Sequence, residues 1–155
     1  MFALPTFFAI CGCAAKQAPL PTTGYKAVVW EKGKEAKVKS QASCEQVREV
    51  VSSIVEHSDD MLKLIVDDQL IKELKEECTC LEVTLASPVT ARFGKQETTF
   101  SCLLVPINTD ANVHSIVFYI GDGKTYFTPP GVSTQGKADL NHLAELLCVT
   151  FGSKE

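Results

Sequence analysis

The chain has 155 residues, 45% of them hydrophobic and 22% charged, with a formal net charge of −4 and seven cysteines. That length fits one domain with a core able to bury roughly two-thirds of its unfolded surface. The acidic balance gives no pull toward nucleic acid, and no run of 18 or more apolar residues is present to span a membrane as a helix.

The chain starts Met-Phe-Ala-Leu-Pro-Thr-Phe-Phe-Ala-Ile, an uncharged apolar run that leads into Cys11-Gly12-Cys13. Ile10-Cys11-Gly12-Cys13 resembles the lipobox of bacterial lipoproteins, with an aliphatic residue three before the cysteine and small residues between. The resemblance covers about the first 13 residues. It implies cleavage before Cys13, removal of residues 1–12 with Cys11 as a signal peptide, and a diacylglycerol on the Cys13 thiol. Residues 13–24 hold small residues, two prolines and a glycine, the composition of a tether. A plain secretory signal, and a retained N-terminal strand that happens to carry two cysteines, are the competing readings. On the first reading residues 25–155 form one extracytoplasmic domain at the cell envelope. On the second the domain is secreted, and on the third it is cytosolic.

Residues 25–39 read as a hairpin, with Tyr-Lys-Ala-Val-Val-Trp, a turn at Gly33, and alternating Glu-Ala-Lys-Val-Lys. Five of the 15 basic residues fall here: Lys26, Lys32, Lys34, Lys37 and Lys39. They suit a solvated, edge-protecting face, or a basic patch for anionic lipid headgroups or an acidic partner. Ser43-Cys44-Glu45-Gln46 fits a capping box opening the first helix. Val47, Val50, Val51, Ile54 and Val55 then form one apolar helical stripe. Met61 to Val66 is a strand or a buried connector. Asp67 or Asp68 caps a second helix, with Leu70, Ile71 and Leu74 on one side and Lys72, Glu73, Lys75, Glu76 and Glu77 toward water. From Cys78 the period changes to two, with Leu81, Val83 and Leu85 inward and Glu82 and Thr84 outward. Further strands are expected at 98–107, where Phe100, Cys102 and Leu104 share parity, at 113–120, and as a short return at 124–128. Asp139 caps a last helix with Leu140, Leu143, Ala144 and Leu147 inward. The order is a hairpin, two helices, an antiparallel meander of about four strands and a C-terminal helix. That is an α+β fold.

Chemistry is sparse. Removing Cys11 and acylating Cys13 leaves Cys44, Cys78, Cys80, Cys102 and Cys148, each a candidate for a disulfide or a free thiol. Cys78-Thr79-Cys80 with Cys102 and His114 offers four soft ligands, but C-x-C is tighter than structural zinc pairs, and no metal site is assigned. His57, His114 and His142 lie in no nucleophile motif, and no phosphate- or dinucleotide-binding loop is present, so neither a catalytic residue nor a cofactor is assigned. The acidic pairs Asp59-Asp60 and Asp67-Asp68 read as helix-start residues. Asp110 and Asn112 lack the rest of a calcium loop. The candidate binding loop is Tyr126, Phe127, Pro129, Pro130 and Gly131, which combine aromatics with turn formers. The expected function is a membrane-anchored binding module with a protein, peptide or glycan partner. A small thiol-dependent envelope enzyme is the alternative.

Overall fold

The structure, a computed structural model, describes residues 20, 24–37, 41–107, 115–134 and 136–147. Among these residues it is α+β, with three helices and a seven-stranded antiparallel sheet. The strands are β1 (Tyr25–Glu31), β2 (Lys34–Lys37), β3 (Asp60–Met61), β4 (Cys80–Phe93), β5 (Gln96–Pro106), β6 (Ile116–Gly121) and β7 (Gly131–Ser133), in the spatial order β2-β1-β4-β5-β6-β7-β3. The helices are α1 (Gln41–Glu56), α2 (Asp68–Glu77) and α3 (Lys137–Leu146). The hairpin and the meander therefore join in one sheet, larger than the meander of about four strands expected.

The tight turns follow from local chemistry. β1 and β2 close through Lys32 and Gly33, both at positive φ, and Glu31 faces Lys34. That geometry is the type I′ hairpin, whose twist matches the strands it joins. β4 and β5 close through Gly94 at φ +60, with Phe93 facing Gln96. The Asp122 carboxylate accepts from the amides of Lys124 and Thr125 and shapes the next turn.

The sheet is covered on both faces. On one, Val47, Val51, Ile54 and Val55 of α1 and Leu140, Leu143 and Ala144 of α3 meet Val29, Leu81, Val83, Leu103, Val105, Phe118 and Ile120. The valines are mediocre helix formers. Burial holds them, at about 1.5–3 kcal/mol for each large apolar side chain. On the other face, Ile71 of α2 and Val66 meet Cys80, Leu104 and Tyr119, with Trp30, Leu70 and Leu74 alongside. Leu20 joins the larger core at 4% exposure, although residues 13–24 have tether composition.

Several local expectations are corrected. α1 begins at Gln41, so Ser43 lies inside the helix and is not its cap. Met61 to Val66 is neither a long strand nor a buried connector. Ile65 is 77% exposed, and only Val66 is buried. Asp60 starts β3, and Asp59 accepts hydrogen bonds from the amide and hydroxyl of Thr134, so this pair does not open a helix. Asp67 does cap α2, accepting from the Leu70 amide at 2.8 Å. The 124–128 return is reduced to one bridge between Gly121 and Tyr126, and the strand beside β6 is instead β7. α3 starts at Lys137, which puts Asp139 inside its first turn.

The parity of β5 also breaks. Phe100 packs under α1 and α3, whereas Leu104 lies on the α2 face. The cause is a register shift between Thr84 and Val89 of β4, across Ser87-Pro88. Proline has no amide for the ladder, so the pairing slips there and the faces exchange.

Candidate functional site

Glu82 is the centre of a polar cluster on the α2 face. Sequence alternation puts its side chain toward water, but α2 covers that face and leaves the side chain only 17% exposed. Its Oε2 accepts from Trp30 Nε1 at 2.7 Å. Its Oε1 accepts from Lys75 Nζ at 2.9 Å and from the Tyr126 hydroxyl at 2.5 Å. Burial pushes the Glu82 carboxyl up, but the hydrogen bonds from Tyr126, Lys75 and Trp30 outweigh it and hold the group below its ordinary value of 4.5. Lys75 was expected among the water-facing residues of α2. It turns inward, and its ammonium also lies 4.2 Å from the centre of the Trp30 ring.

The thiols sit around this cluster. Cys102 Sγ is 3.2 Å from the Tyr126 hydroxyl, and Cys80 Sγ donates to the carbonyl of Leu74 at 3.3 Å. Among the described residues Cys78, Cys80 and Cys102 are free. Burial raises all three thiols, Cys80 to about 12. A nucleophilic thiol needs the opposite shift. The side chain of Cys44, and the whole of Cys11, Cys13, Cys148, His114, Asp110 and Asn112, lie outside the described residues. Among the described residues no group of three or more His, Cys, Asp or Glu side chains converges as a metal ion would need.

Beside the cluster is an open groove of about 280 Å³ lined by Trp30, Gly33, Asp68, Ile71, Lys72, Lys75 and Glu76. The β1–β2 turn forms one wall and α2 the other. The Gly33 amide donates to the Lys75 carbonyl at 2.7 Å and ties the walls together. A Cβ at Gly33 would sit 3.2 Å from Glu76 Cγ, so glycine permits this close approach.

The candidate loop at 126–131 is committed elsewhere. Tyr126 uses its hydroxyl on Glu82, and Phe127 is half-buried against the main core. The Thr128–Pro129 bond is cis, the Pro130 carbonyl accepts from the Leu62 amide, and Gly131 lies under the Phe118 ring in β7. Among the described lysine side chains of the hairpin, Lys34 pairs across from Glu31, whereas Lys26 lies on the alternate face of β1 and is ion-paired to Glu35 at 3.7 Å; the Lys37 side chain and Lys39 lie outside the described residues.

Sequence reasoning missed a third grouping. Ser53, His57 and Asp139 come together where α1 ends and α3 begins. Ser53 Oγ donates to Asp139 Oδ2 at 3.0 Å, and His57 Nδ1 lies 2.8 Å from the Ser53 carbonyl and 3.1 Å from its Oγ. The residue types are those of a hydrolase triad, but the wiring is different. The single Ser53 proton goes to Asp139, so His57 Nδ1 carries a proton and gives it to the Ser53 carbonyl. No imidazole lone pair is then aimed at the hydroxyl, as a nucleophile would need. The trio is a clamp between two helices. His142 is exposed on α3.

One sequence signal pointed to the Glu82 cluster. Cys80 shares a strand face with Glu82, and an apolar thiol on a face expected to be wet is a sign that something covers it. No family model, curated protein or solved structure matches the chain.

Proposed function

We propose that this chain is a small binding module tethered to a membrane of the cell envelope through a lipid on Cys13, and that it takes its partner in the groove beside α2. The lipobox-like Ile10-Cys11-Gly12-Cys13 supports the tether. The observation that carries the binding role is the fixing of Trp30 in the groove wall by Glu82 on its nitrogen and Lys75 over its ring. A rigid aromatic side chain offers a binding surface at low entropic cost. The groove is just below the roughly 300–1,000 Å³ of small-molecule pockets, which suits one residue of a peptide or one ring of a glycan. The raised thiols weigh against a thiol-dependent enzyme.

Two measurements test the two halves of the proposal. Expressed in a bacterial host, the parent chain should partition with membranes and carry the mass of its acyl chains, and Cys13→Ala should lose both. If the variant partitions and weighs as an acylated protein, the tether reading fails. Trp30 is the one tryptophan, so its fluorescence reports groove occupancy directly. Titration with envelope peptides and glycan fragments should give a saturable change that Ile71→Glu removes. A flat response to both classes counts against the binding role.

A further inference from the structure

We propose that the domain turns its α1 face toward the membrane and its Trp30 groove away from it. This rests on the tether reading above. The argument starts from Leu20, which is buried in the main core and held at both backbone groups. Its amide donates to Ser52 Oγ at 3.0 Å, and its carbonyl accepts from Arg48 Nη1 at 3.1 Å. Arg48 is itself only 8% exposed, so this guanidinium is built into the fold as a clip and is not a loose surface charge. Both holding residues belong to α1. The chain therefore enters the folded unit on the α1 side of the sheet.

Reach decides the rest. Seven residue steps separate Cys13 from Leu20, and at 3.3–3.6 Å each they span at most about 25 Å. Trp30 and α2 pack on the opposite face of the sheet from α1. Two helix layers, each about 10 Å across, lie in that direction with the sheet between them. A lipid on Cys13 can hold the α1 face at the headgroups with chain to spare. Bringing the groove to the bilayer would use the whole reach to pass around the domain. Surface charge does not supply the orientation, because Glu45, Glu49 and Glu56 are exposed on α1. The tether root supplies it, so the orientation holds on zwitterionic lipid and is insensitive to salt.

The test uses the full acylated chain in phosphatidylcholine vesicles containing a headgroup-nitroxide lipid, with acylation read by intact mass. Trp30 reports the groove. A Trp30→Phe chain carrying Gln46→Trp, an exposed α1 position, reports the other face. The expected result is quenching several-fold stronger at position 46 than at Trp30, unchanged by salt. Equal or reversed quenching in a chain of acylated mass overturns the orientation and leaves the tether standing. A chain that carries no acyl mass and does not partition overturns the tether and the orientation together.

Discussion

The indole nitrogen of Trp30 donates to Glu82 Oε2 at 2.7 Å, across 52 residues of sequence. The bond joins the first hairpin to β4 beside it, and Glu82 carries Lys75 and Tyr126 on its other oxygen. Removing that carboxylate takes the shared acceptor from Trp30, Lys75 and Tyr126 and leaves a largely buried ammonium without its counter-charge. Glu82→Ala should cost about 3 kcal/mol in urea unfolding, the cost of breaking a buried pair on one side, and Glu82→Gln should cost less.

The same group sets a pH dependence. The folded Glu82 carboxyl is held below its ordinary 4.5. Its contribution is therefore fully present above the unfolded value and is lost as pH falls through the folded one. Glu82→Gln should flatten the acid limb of stability below pH 4.5 and leave the neutral region with a constant offset. An acid limb with the parent's slope would show that Glu82 is not the group responsible.

Thiol reactivity should be graded. Cys80 is fully buried and pushed up to about 12, Cys102 is buried and raised, and Cys78 is only half-buried. Alkylation of the native protein near pH 8, followed by peptide mapping, should label Cys78 first and leave Cys80 and Cys102 until the chain unfolds. Fast native labelling of Cys80 would revive the enzyme reading.

The Ser53–Asp139 bond should act as a helix clamp. A double-mutant cycle with Ser53→Ala and Asp139→Asn should return a coupling of about 1 kcal/mol, the worth of a partly buried hydrogen bond. Zero coupling would mean the helices are held by packing alone.

Gly131 offers a packing test. A Cβ there would run into the Phe118 ring. Gly131→Ala should cost about 1–3 kcal/mol by overpacking, and trimming the ring with Phe118→Leu should recover part of that in the double variant.

What the sequence made legible was periodic and local. The α1 stripe, the Gly33 turn, the Asp67 cap and the inward Leu81, Val83 and Leu85 all appear where their patterns placed them, because each depends on neighbours within a few positions. What it hid depends on distant segments. The alternation of Phe100, Cys102 and Leu104 reads as one face, yet a slip at Ser87-Pro88 on the neighbouring strand divides it. Glu82 and Lys75 read as solvent-facing because nothing local says that α2 returns over the sheet. Leu20 lies in a stretch of tether composition, and only Arg48 and Ser52, more than 25 residues later, make it part of the core.

The bond from the Gly33 amide to the Lys75 carbonyl has a kinetic meaning as well. It closes the last turn of α2 with a donor that lies 42 residues before its acceptor. The helix cannot lift from the sheet while this amide stays protected, and the hairpin cannot fray at its turn without releasing the helix end. The β1–β2 hairpin and α2 therefore open as one unit. Deuterium uptake at this single backbone position is a clock for that opening.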